Sequence, residues 1–273
     1  MSSKRMVDDF LHGDLTGKII GSYYHVYNSM RHDLPEDFYQ KAMEFDLEAN
    51  EIHCECEQEF PVFYEEIVVG QQVLDAIVEQ TAVLEYKVEH RLKPIREAQL
   101  LSYLKANGIE VGLLFNFGGK QPEFKRRVRT SAHHNVKMEI DLEKTIDGSW
   151  LHAELAREVL SAMCRIYRTL GPGFIFRIYQ NSSRLELRKM GVSFDERESI
   201  EFYFRGKVID VEQFWHFIVD EKLLLIPRAT SVIEPVDLST ARDLLRRYNL
   251  QLGLLFNFQS VRPEPVFVRI NSH

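Results

Sequence analysis

The sequence predicts an α/β protein made of two tandem domains, each with a mixed β-sheet. The hexapeptide GLLFNF occupies Gly112–Phe117 and recurs at Gly253–Phe258, 141 residues later, with similar flanking patterns. In the first copy, apolar residues at helical spacing alternate with runs rich in β-branched residues, which is typical of a helix and strand layer packed together. A repeat of this length has the size of a domain, so we expect domains at 1–141 and 142–273.

The composition is that of a globular protein. The chain has 273 residues, of which 45% are hydrophobic, which suffices for two cores. No apolar run approaches the roughly 20 residues that span a bilayer, and the first ten residues lack the apolar core of a signal peptide, so we expect a cytoplasmic protein. Cys54, Cys56 and Cys164 lack the spacing of a zinc site and are expected to be reduced thiols.

Charge is divided unequally between the copies. Residues 1–141 carry 16 Lys+Arg and 24 Asp+Glu, a net charge of −8, whereas residues 142–273 carry 18 and 17, a net charge of +1. The overall charge of −7 argues against a simple nucleic-acid coat protein. The second half has 14 Arg and 4 Lys, and Arg is the better bidentate ligand of phosphate, although an ordinary solvated surface also accounts for them.

The elements of the first copy follow in order from local patterns. Two helices are predicted at about 15–30 and 35–49, the second from the spacing of Phe38, Ala42 and Phe45. Pro94 marks the start of a third helix, which ends at Asn107-Gly108 because glycine suits a helix C-terminus. Strands are predicted at about 52–64, 67–78 and 82–88, then at GLLFNF and along the basic segment EFKRRVRT.

The segment Val68–Val88 is predicted to form a hairpin that carries chemistry. Its polar break, Glu79-Gln80-Thr81, fits a three-residue turn centred on Gln80. Opposed residues then have sequence numbers that sum to 160, which places Asp75 opposite Glu85, with Lys87 on the same face. Two carboxylates at this separation repel each other unless a cation lies between them, and Mg²⁺ takes one or two carboxylates and otherwise water and phosphate oxygens.

Lys87 would then orient water or stabilise negative charge on a phosphorane-like transition state. The alternative is an ordinary hairpin whose solvent face carries Asp, Glu and Lys. The apolar surroundings of Glu85 and Lys87 in AVLEYKV favour the functional interpretation, because an unpaired charge is costly to bury there.

The first copy resembles the GxxExxY protein family of the PD-(D/E)XK nuclease-like superfamily. LTGKIIG at residues 15–21 matches the opening helix of that family, and Glu36 and Tyr39 match its naming motif, in which Asp33 replaces the glycine. The catalytic pattern falls on Asp75 and Glu85-Tyr86-Lys87, and a helix motif falls on Gln99–Leu104.

This resemblance implies a restriction-endonuclease-like αβββαβ fold with a mixed sheet in each copy. It implies a metal-dependent nuclease in which Asp75, Glu85 and Glu36 hold Mg²⁺ or Mn²⁺ and Lys87 acts electrostatically. Gln99 and Glu36 support the site. DNA or RNA is the implied partner.

The second copy departs from this pattern at the chemical positions. Adding 141 to Asp75, Glu85, Lys87 and Gln99 leads to His216, Ile226, Arg228 and Thr240, and Phe176 stands at the position of Glu36. We therefore expect the site in the first copy alone, with Glu201 and Glu212 as a weaker, relocated candidate. Pro227 removes a backbone donor, so we expect its strand at a sheet edge or distorted.

A non-enzymatic scaffold that binds nucleic acid or protein is the competing function for the whole chain. The acidic first half favours this alternative. We expect the two copies to form an intramolecular pseudo-dimer, with an independent binding module as the alternative for the second copy. His133-His134 is predicted to be a solvated linker, and the basic segment Lys125–Arg129 either follows a phosphate backbone or protects an edge strand.

Overall fold

The structure is a computed structural model that describes residues 11–129, 140–263 and 265–270. The chain divides into two compact units, Met1–Val136 and Lys137–His273. That division falls outside the described residues, as does His133-His134, so the boundary after residue 141 and the linker stay predictions. Within the described ranges, none of the helices has the length and apolar character needed to cross a membrane.

The first unit has a five-stranded mixed sheet in the order β1-β2-β3-β4-β5. The β3–β4 pair is parallel and the other neighbouring pairs are antiparallel. The elements in chain order are α1 (Gly13–Ser29), α2 (Glu36–Ala49), β1 (Cys54–Tyr64), β2 (Ile67–Val78), β3 (Ala82–Lys87), α3 (Pro94–Asn107), β4 (Val111–Asn116) and β5 (Glu123–Val128).

The second unit repeats this topology in the sheet order β10-β9-β8-β7-β6, with the β8–β9 pair parallel. Its elements are α4 (Leu142–Thr145), α5 (Ala153–Leu170), α6 (Phe176–Met190), β6 (Phe194–Phe204), β7 (Lys207–Val219), β8 (Leu223–Arg228), α7 (Pro235–Arg247), β9 (Leu252–Asn257) and β10 (Pro265–Arg269). Within the described residues, each unit contains the predicted αβββαβ order, preceded by one helix in the first unit and two in the second, and followed by a strand. The predicted fold class, two tandem restriction-endonuclease-like domains, is confirmed.

Helices cover opposite faces of the first sheet. A side chain at Gly112 would collide with Leu100 of α3, so β4 and α3 approach closely on that face. Leu113, next along β4, joins the core with residues of α1 and α2 on the other face. Because strand residues alternate in direction, Val83, Glu85 and Lys87 share the α3 face.

The β2–β3 hairpin has the predicted register. Val78 lies opposite Ala82 and Ala76 opposite Leu84, so the opposed residue numbers sum to 160. Glu79 and Gln80 adopt left-handed φ angles of 50° and 51° in the three-residue turn. The same turn recurs in the second unit, where Val219 lies opposite Leu223.

The helix α2 is present as predicted, but the residues whose spacing predicts it do not form its buried face. Phe38 and Phe45 are 49% and 71% exposed, whereas Tyr39, Met43 and Leu47 are buried. Both sets have helical spacing, so spacing alone could not distinguish them. The choice is made by partners outside the helix, because Tyr39 stacks on the Phe117 ring with centroids 4.5 Å apart.

This tyrosine contact is present in both units. The Tyr39 hydroxyl donates to a backbone carbonyl in the turn before α2. In the second unit Tyr179 stacks on Phe258 at 4.4 Å and donates to the Gly171 carbonyl at 2.8 Å. The tyrosine therefore links the turn before the helix to the residue that follows β4 in the first unit and β9 in the second.

An asparagine makes a second contact common to both units. The side-chain oxygen of Asn116, the last residue of β4, accepts hydrogen bonds from the backbone N–H groups of Glu89 at 2.9 Å and Gly118 at 3.1 Å. The Asn257 side chain does the same at the end of β9. These bonds hold the segment after the third strand against the end of the fourth.

Candidate active site

The candidate site lies where β2 and β3 separate. Their backbone pairing ends at Ala76 and Leu84. One residue further, the Asp75 carboxylate accepts a hydrogen bond of 2.8 Å from the backbone N–H of Tyr86. The Asp75 carbonyl accepts from the Gln40 side chain of α2 at 3.0 Å. Asp75 is thus held in place by both its side chain and its backbone.

Lys87 lies among three carboxylates. Its Nζ atom is 3.2 Å from Glu36 Oε1, 3.6 Å from Glu85 Oε2 and 3.7 Å from Asp75 Oδ2. It also donates to the Tyr86 carbonyl. Glu36 reaches the lysine because it is the first residue of α2, whose N-terminus lies beside the end of β3. The structure therefore brings four of the five predicted site residues together.

Glu85 is the most buried member of this cluster. Its side chain is 4% exposed, and its Oε1 atom has no hydrogen-bond partner among the described residues. Burial, followed by the nearby charge of Asp75, raises the pKa of Glu85 to about 8, although Lys87 acts in the opposite direction. Without a bound cation, Glu85 is therefore mostly protonated at neutral pH.

Lys87 stays charged in the same surroundings. Burial acts to lower the pKa of Lys87, but the charges of Glu85, Asp75 and Glu36 outweigh it, so the pKa is raised above its ordinary value. The cluster therefore combines one permanent ammonium with three acidic groups, and its net charge is negative whenever at least two of the acids are ionised.

Gln99, the fifth predicted residue, reaches the site through Tyr103. Its Nε2 donates to the Tyr103 hydroxyl at 2.8 Å. Burial, and next the charge of Glu85, raise the pKa of Tyr103, with a smaller contribution from Asp75. The tyrosine is thus within electrostatic range of both carboxylates. The spacing of four residues, which places Gln99 and Tyr103 on one face of α3, is the sequence signal for this missed residue.

Arg96 and Glu89 extend this connection. Arg96 donates to Glu89 Oε1 through Nε at 2.9 Å and Nη2 at 2.7 Å, and its Nη1 lies 3.4 Å from Gln99 Oε1. We call Glu89, Arg96, Gln99 and Tyr103 the α3 relay. The sequence offered no signal for Glu89 and Arg96 as site residues, because their pairing depends on how the segment after β3 turns back to α3.

The cluster fits a hard divalent cation. The unpartnered, buried oxygen of Glu85 beside Asp75 is the type of donor set that Mg²⁺ uses, with its remaining positions left to water and phosphate. Within the described ranges, no group of three Asp, Glu, His or Cys side chains is arranged to hold a metal by itself. Glu36 contacts Lys87, so its predicted role as a third ligand stays a prediction.

A family model described as the PD-(D/E)XK nuclease superfamily matches residues 13–128 and 153–270, most of both units. The chain belongs to the PD-(D/E)XK nuclease superfamily. Comparison with curated proteins and with solved structures found no match. The superfamily is one of nucleases, and its members generally use divalent metals. Asp75, Glu85 and Lys87 lie in β2 and β3 of the first unit, within the first matched segment.

The second match of the superfamily model covers a unit with different chemistry. His216, which is fully buried, takes the position of Asp75. Its Nδ1 is 2.8 Å from the Phe214 carbonyl and its Nε2 is 3.0 Å from the Tyr248 hydroxyl. Burial lowers the pKa of His216, so the ring is neutral at pH 7. Ile226, also fully buried, stands opposite in the position of Glu85.

Pro227 and His216 replace the two partners of one hydrogen bond of the first unit. They occupy the positions of Tyr86 and Asp75, whose backbone N–H and carboxylate form a hydrogen bond in the first unit. The second unit therefore lacks both the donor and the acceptor. The strand that contains Pro227 was expected at a sheet edge or distorted, and the edge alternative is wrong, since β8 is the central strand. Proline is tolerated there because β8 no longer pairs with β7 beyond Leu225.

The remaining chemical positions have also changed. Arg228, at the position of Lys87, bonds Asp237 at 3.2 Å and lies 3.8 Å from the centre of the Phe214 ring. Glu201 and Glu212 do not converge, because Glu201 is opposed to Val211 and Glu212 to Ile200, so they point to opposite faces. The α3 relay has no counterpart, since its four positions hold Thr230, Asp237, Thr240 and Leu244.

The arginines of the basic strand β5 have partners within the first unit. Arg127 forms an ion pair with Glu97 of α3, and Arg126 bonds the Thr16 hydroxyl at 3.4 Å and the Leu11 carbonyl. Because β5 is an edge strand of its sheet, these contacts agree with the edge-protection interpretation.

Proposed function

We propose that the first domain hydrolyses phosphodiester bonds in DNA or RNA with Mg²⁺ or Mn²⁺, and that the second domain does not hold this metal. The observation that carries the proposal is the buried, unpartnered oxygen of Glu85 beside Asp75. Lys87 lies near both of these carboxyl groups and near Glu36. A structural hairpin would not require three acidic groups around one buried lysine.

Asp75 and Glu85 are the proposed cation ligands. A divalent cation supplies positive charge that favours ionised Glu85, lowers the pKa of water and offsets negative charge on the phosphate. The Tyr86 N–H orients the Asp75 carboxylate, since it donates to Oδ2. The Lys87 ammonium, held by Glu36 and kept protonated by its neighbours, is placed to stabilise a phosphate oxygen in the transition state.

We further infer that the first domain is of the GxxExxY type. The glutamate of that motif, Glu36, contacts the site lysine, and the tyrosine, Tyr39, stabilises the turn before α2. Asp33, which replaces the glycine, is exposed and bonds Arg31 at 2.8 Å. The two motif residues thus have distinct roles, one at the chemistry and one in the fold.

Cleavage by the purified full chain tests the proposal. Labelled DNA and RNA strands should be cut with Mg²⁺ or Mn²⁺, left intact in EDTA, and left intact by Asp75→Asn. Glu212→Gln, which removes an exposed carboxylate from β7, is the matched control and should cut as the wild type does. Absence of cleavage on both substrates, or equal cleavage by Asp75→Asn, would contradict the proposal.

The competing scaffold function has a separate readout. If the carboxylates are relics, Mn²⁺ should stabilise the wild type and Asp75→Asn equally, because ligand-induced stabilisation requires a site in the folded state.

The proposed pseudo-dimer is tested by expressing residues 1–141 and 142–273 separately. Two soluble halves that melt as they do in the full chain and do not associate would refute it.

A further inference from the structure

The second domain has a groove beside its edge strand β10. It has a volume of about 600 Å³, within the roughly 300–1,000 Å³ of typical ligand sites. The groove follows β10 along residues 266–270, with Leu238 and Arg242 of α7 beside one face of the strand. Trp150 lies against Phe267 and Arg269 on the other face, and Leu151 also lines the groove. All of the described lining residues belong to the second unit.

Two arginines give the groove a positive charge. Arg269 lies over the Trp150 ring, 4.3 Å from its centre, and Trp150 contacts Phe267 edge-on at 5.3 Å. Arg242 is exposed, and within the described residues its guanidinium has no ion pair or hydrogen bond. The described lining contains no carboxylate, although Asp147 in the preceding turn lies within electrostatic range of Arg269.

The equivalent surface of the first domain is neutralised. There Glu97 of α3 pairs with Arg127 of β5. Adding 141 shows that the second domain has Leu238 in place of Glu97, Val268 in place of Arg127 and Arg242 in place of Leu101. Two apolar residues thus replace the ion pair, and an arginine is added about one helical turn further along α7. This change produces an unneutralised arginine in the domain that lacks the carboxylate pair.

We propose that this groove binds a single nucleic-acid strand, with a base packed against the Trp150–Arg269 stack and phosphates at Arg242 and Arg269. An aromatic ring beside cationic side chains is the usual combination for a strand whose bases are unpaired. Arg also suits phosphate, because its planar group donates two parallel hydrogen bonds. The second domain would thereby hold substrate that the first domain cuts, but binding does not require cleavage.

The test measures binding by the full chain in EDTA, with Asp75→Asn in every sample so that cleavage plays no part. The probes are fluorescein-labelled oligodeoxyuridylate and oligouridylate of about 12 nucleotides, which differ only in the 2′-hydroxyl and lie within the range of known single-strand sites. Trp150→Ala should weaken binding about tenfold, the loss expected for one stacked base. Arg242→Ala should weaken binding and reduce the salt dependence by about 0.7 in the log–log slope.

Arg246→Ala is the matched control, because Arg246 is an exposed arginine of the same helix that pairs with Asp243 at 2.9 Å. It should bind both probes as the parent does. Arg242→Lys should retain the salt slope, which assigns the loss in Arg242→Ala to the missing positive charge. Preference for one probe identifies the sugar, and binding of either supports the proposal. Binding of neither, or equal binding by Arg242→Ala, Trp150→Ala and the control, would overturn it.

Discussion

The two domains use one fold with opposite chemistry at equivalent positions. In the first, Asp75 faces a buried carboxyl group, Glu85, whose pKa is raised to about 8. In the second, the same pair of positions holds His216 and Ile226, and burial lowers the pKa of the histidine. Burial disfavours the charged form in both cases, so the acid and the base move in opposite directions. The comparison shows that the hairpin buries the side chains at these positions in both domains, whereas the residue type determines whether burial raises or lowers the pKa.

The largest expected effect concerns the pH dependence of the first domain. Because the pKa of Glu85 is raised from 4.5 to about 8, the folded state retains a proton that the unfolded state releases. The free energy of unfolding should therefore fall as pH rises through this interval, by at most roughly 5 kcal/mol. Glu85→Gln should remove this contribution. Hydrogen exchange of β3 amides in EDTA measures it within the full chain.

The comparison between pH 5 and pH 8 includes a cation control. Mn²⁺ should reduce the loss of protection at pH 8 in the wild type, since bound cation favours ionised Glu85. The same exchange profile in wild type and Glu85→Gln would mean that Glu85 titrates normally and that its burial is not as described.

The second prediction concerns what the domains share. Tyr39→Ala and Tyr179→Ala should each destabilise their own domain by about 3–5 kcal/mol, because both remove a fully buried ring from an aromatic stack. The corresponding phenylalanine variants keep the ring and lose only the hydrogen bonds of the hydroxyl, so each should lose about 1–2 kcal/mol. Exchange rates resolved by domain provide the measurement. A large effect in one domain alone would show that the contact is not equivalent.

The third prediction is the reverse pH dependence of the second domain. His216 is neutral when folded, and its lowered pKa means that the unfolded state takes up a proton first as pH falls. Stability should therefore be lost below about pH 6.5, the ordinary pKa of histidine. His216→Gln should lessen that dependence. Exchange of β7 and β8 amides between pH 7 and 5 tests it, and an unchanged dependence in the variant would refute it.

Much of the fold was predictable from local patterns and from the internal repeat. The turn at Glu79–Thr81 determined the register, and the register brought Asp75, Glu85 and Lys87 together. The buried face of α2 was not predictable, because two sets of apolar residues have equal spacing and the choice depends on Phe117, far along the chain. Long-range partners of this type leave no local signal.

The position of Pro227 illustrates the same limit. Proline in a strand indicates an edge when each strand is considered alone. In this sheet β8 is central. Proline fits there because the backbone N–H at the same position of the first domain, that of Tyr86, donates to the Asp75 carboxylate and not to a neighbouring strand. The site cluster was predictable from spacing, but the α3 relay was not, since Glu89 and Arg96 meet only after the chain turns.

The smallest effect is expected from this relay. Arg96 contacts neither Asp75 nor Glu85 in the described bonds, and acts through Gln99 and Tyr103. Arg96→Gln should therefore lower cleavage by about tenfold through kcat, the size expected when a positioning bond is lost rather than a ligand. Arg91→Gln, an exposed arginine before α3, is the charge-matched control and should change nothing.

A double-mutant cycle separates positioning from general destabilisation. Glu89 accepts both bonds from Arg96, so Glu89→Gln and the double variant should lose no more activity than Arg96→Gln alone. Mn²⁺ stabilisation should persist in all three, because Asp75 and Glu85 are intact. If the losses add, or if Mn²⁺ stabilisation disappears, the relay supports the fold of the first domain instead of the orientation of Tyr103, and the lack of a relay in the second domain has no bearing on its chemistry.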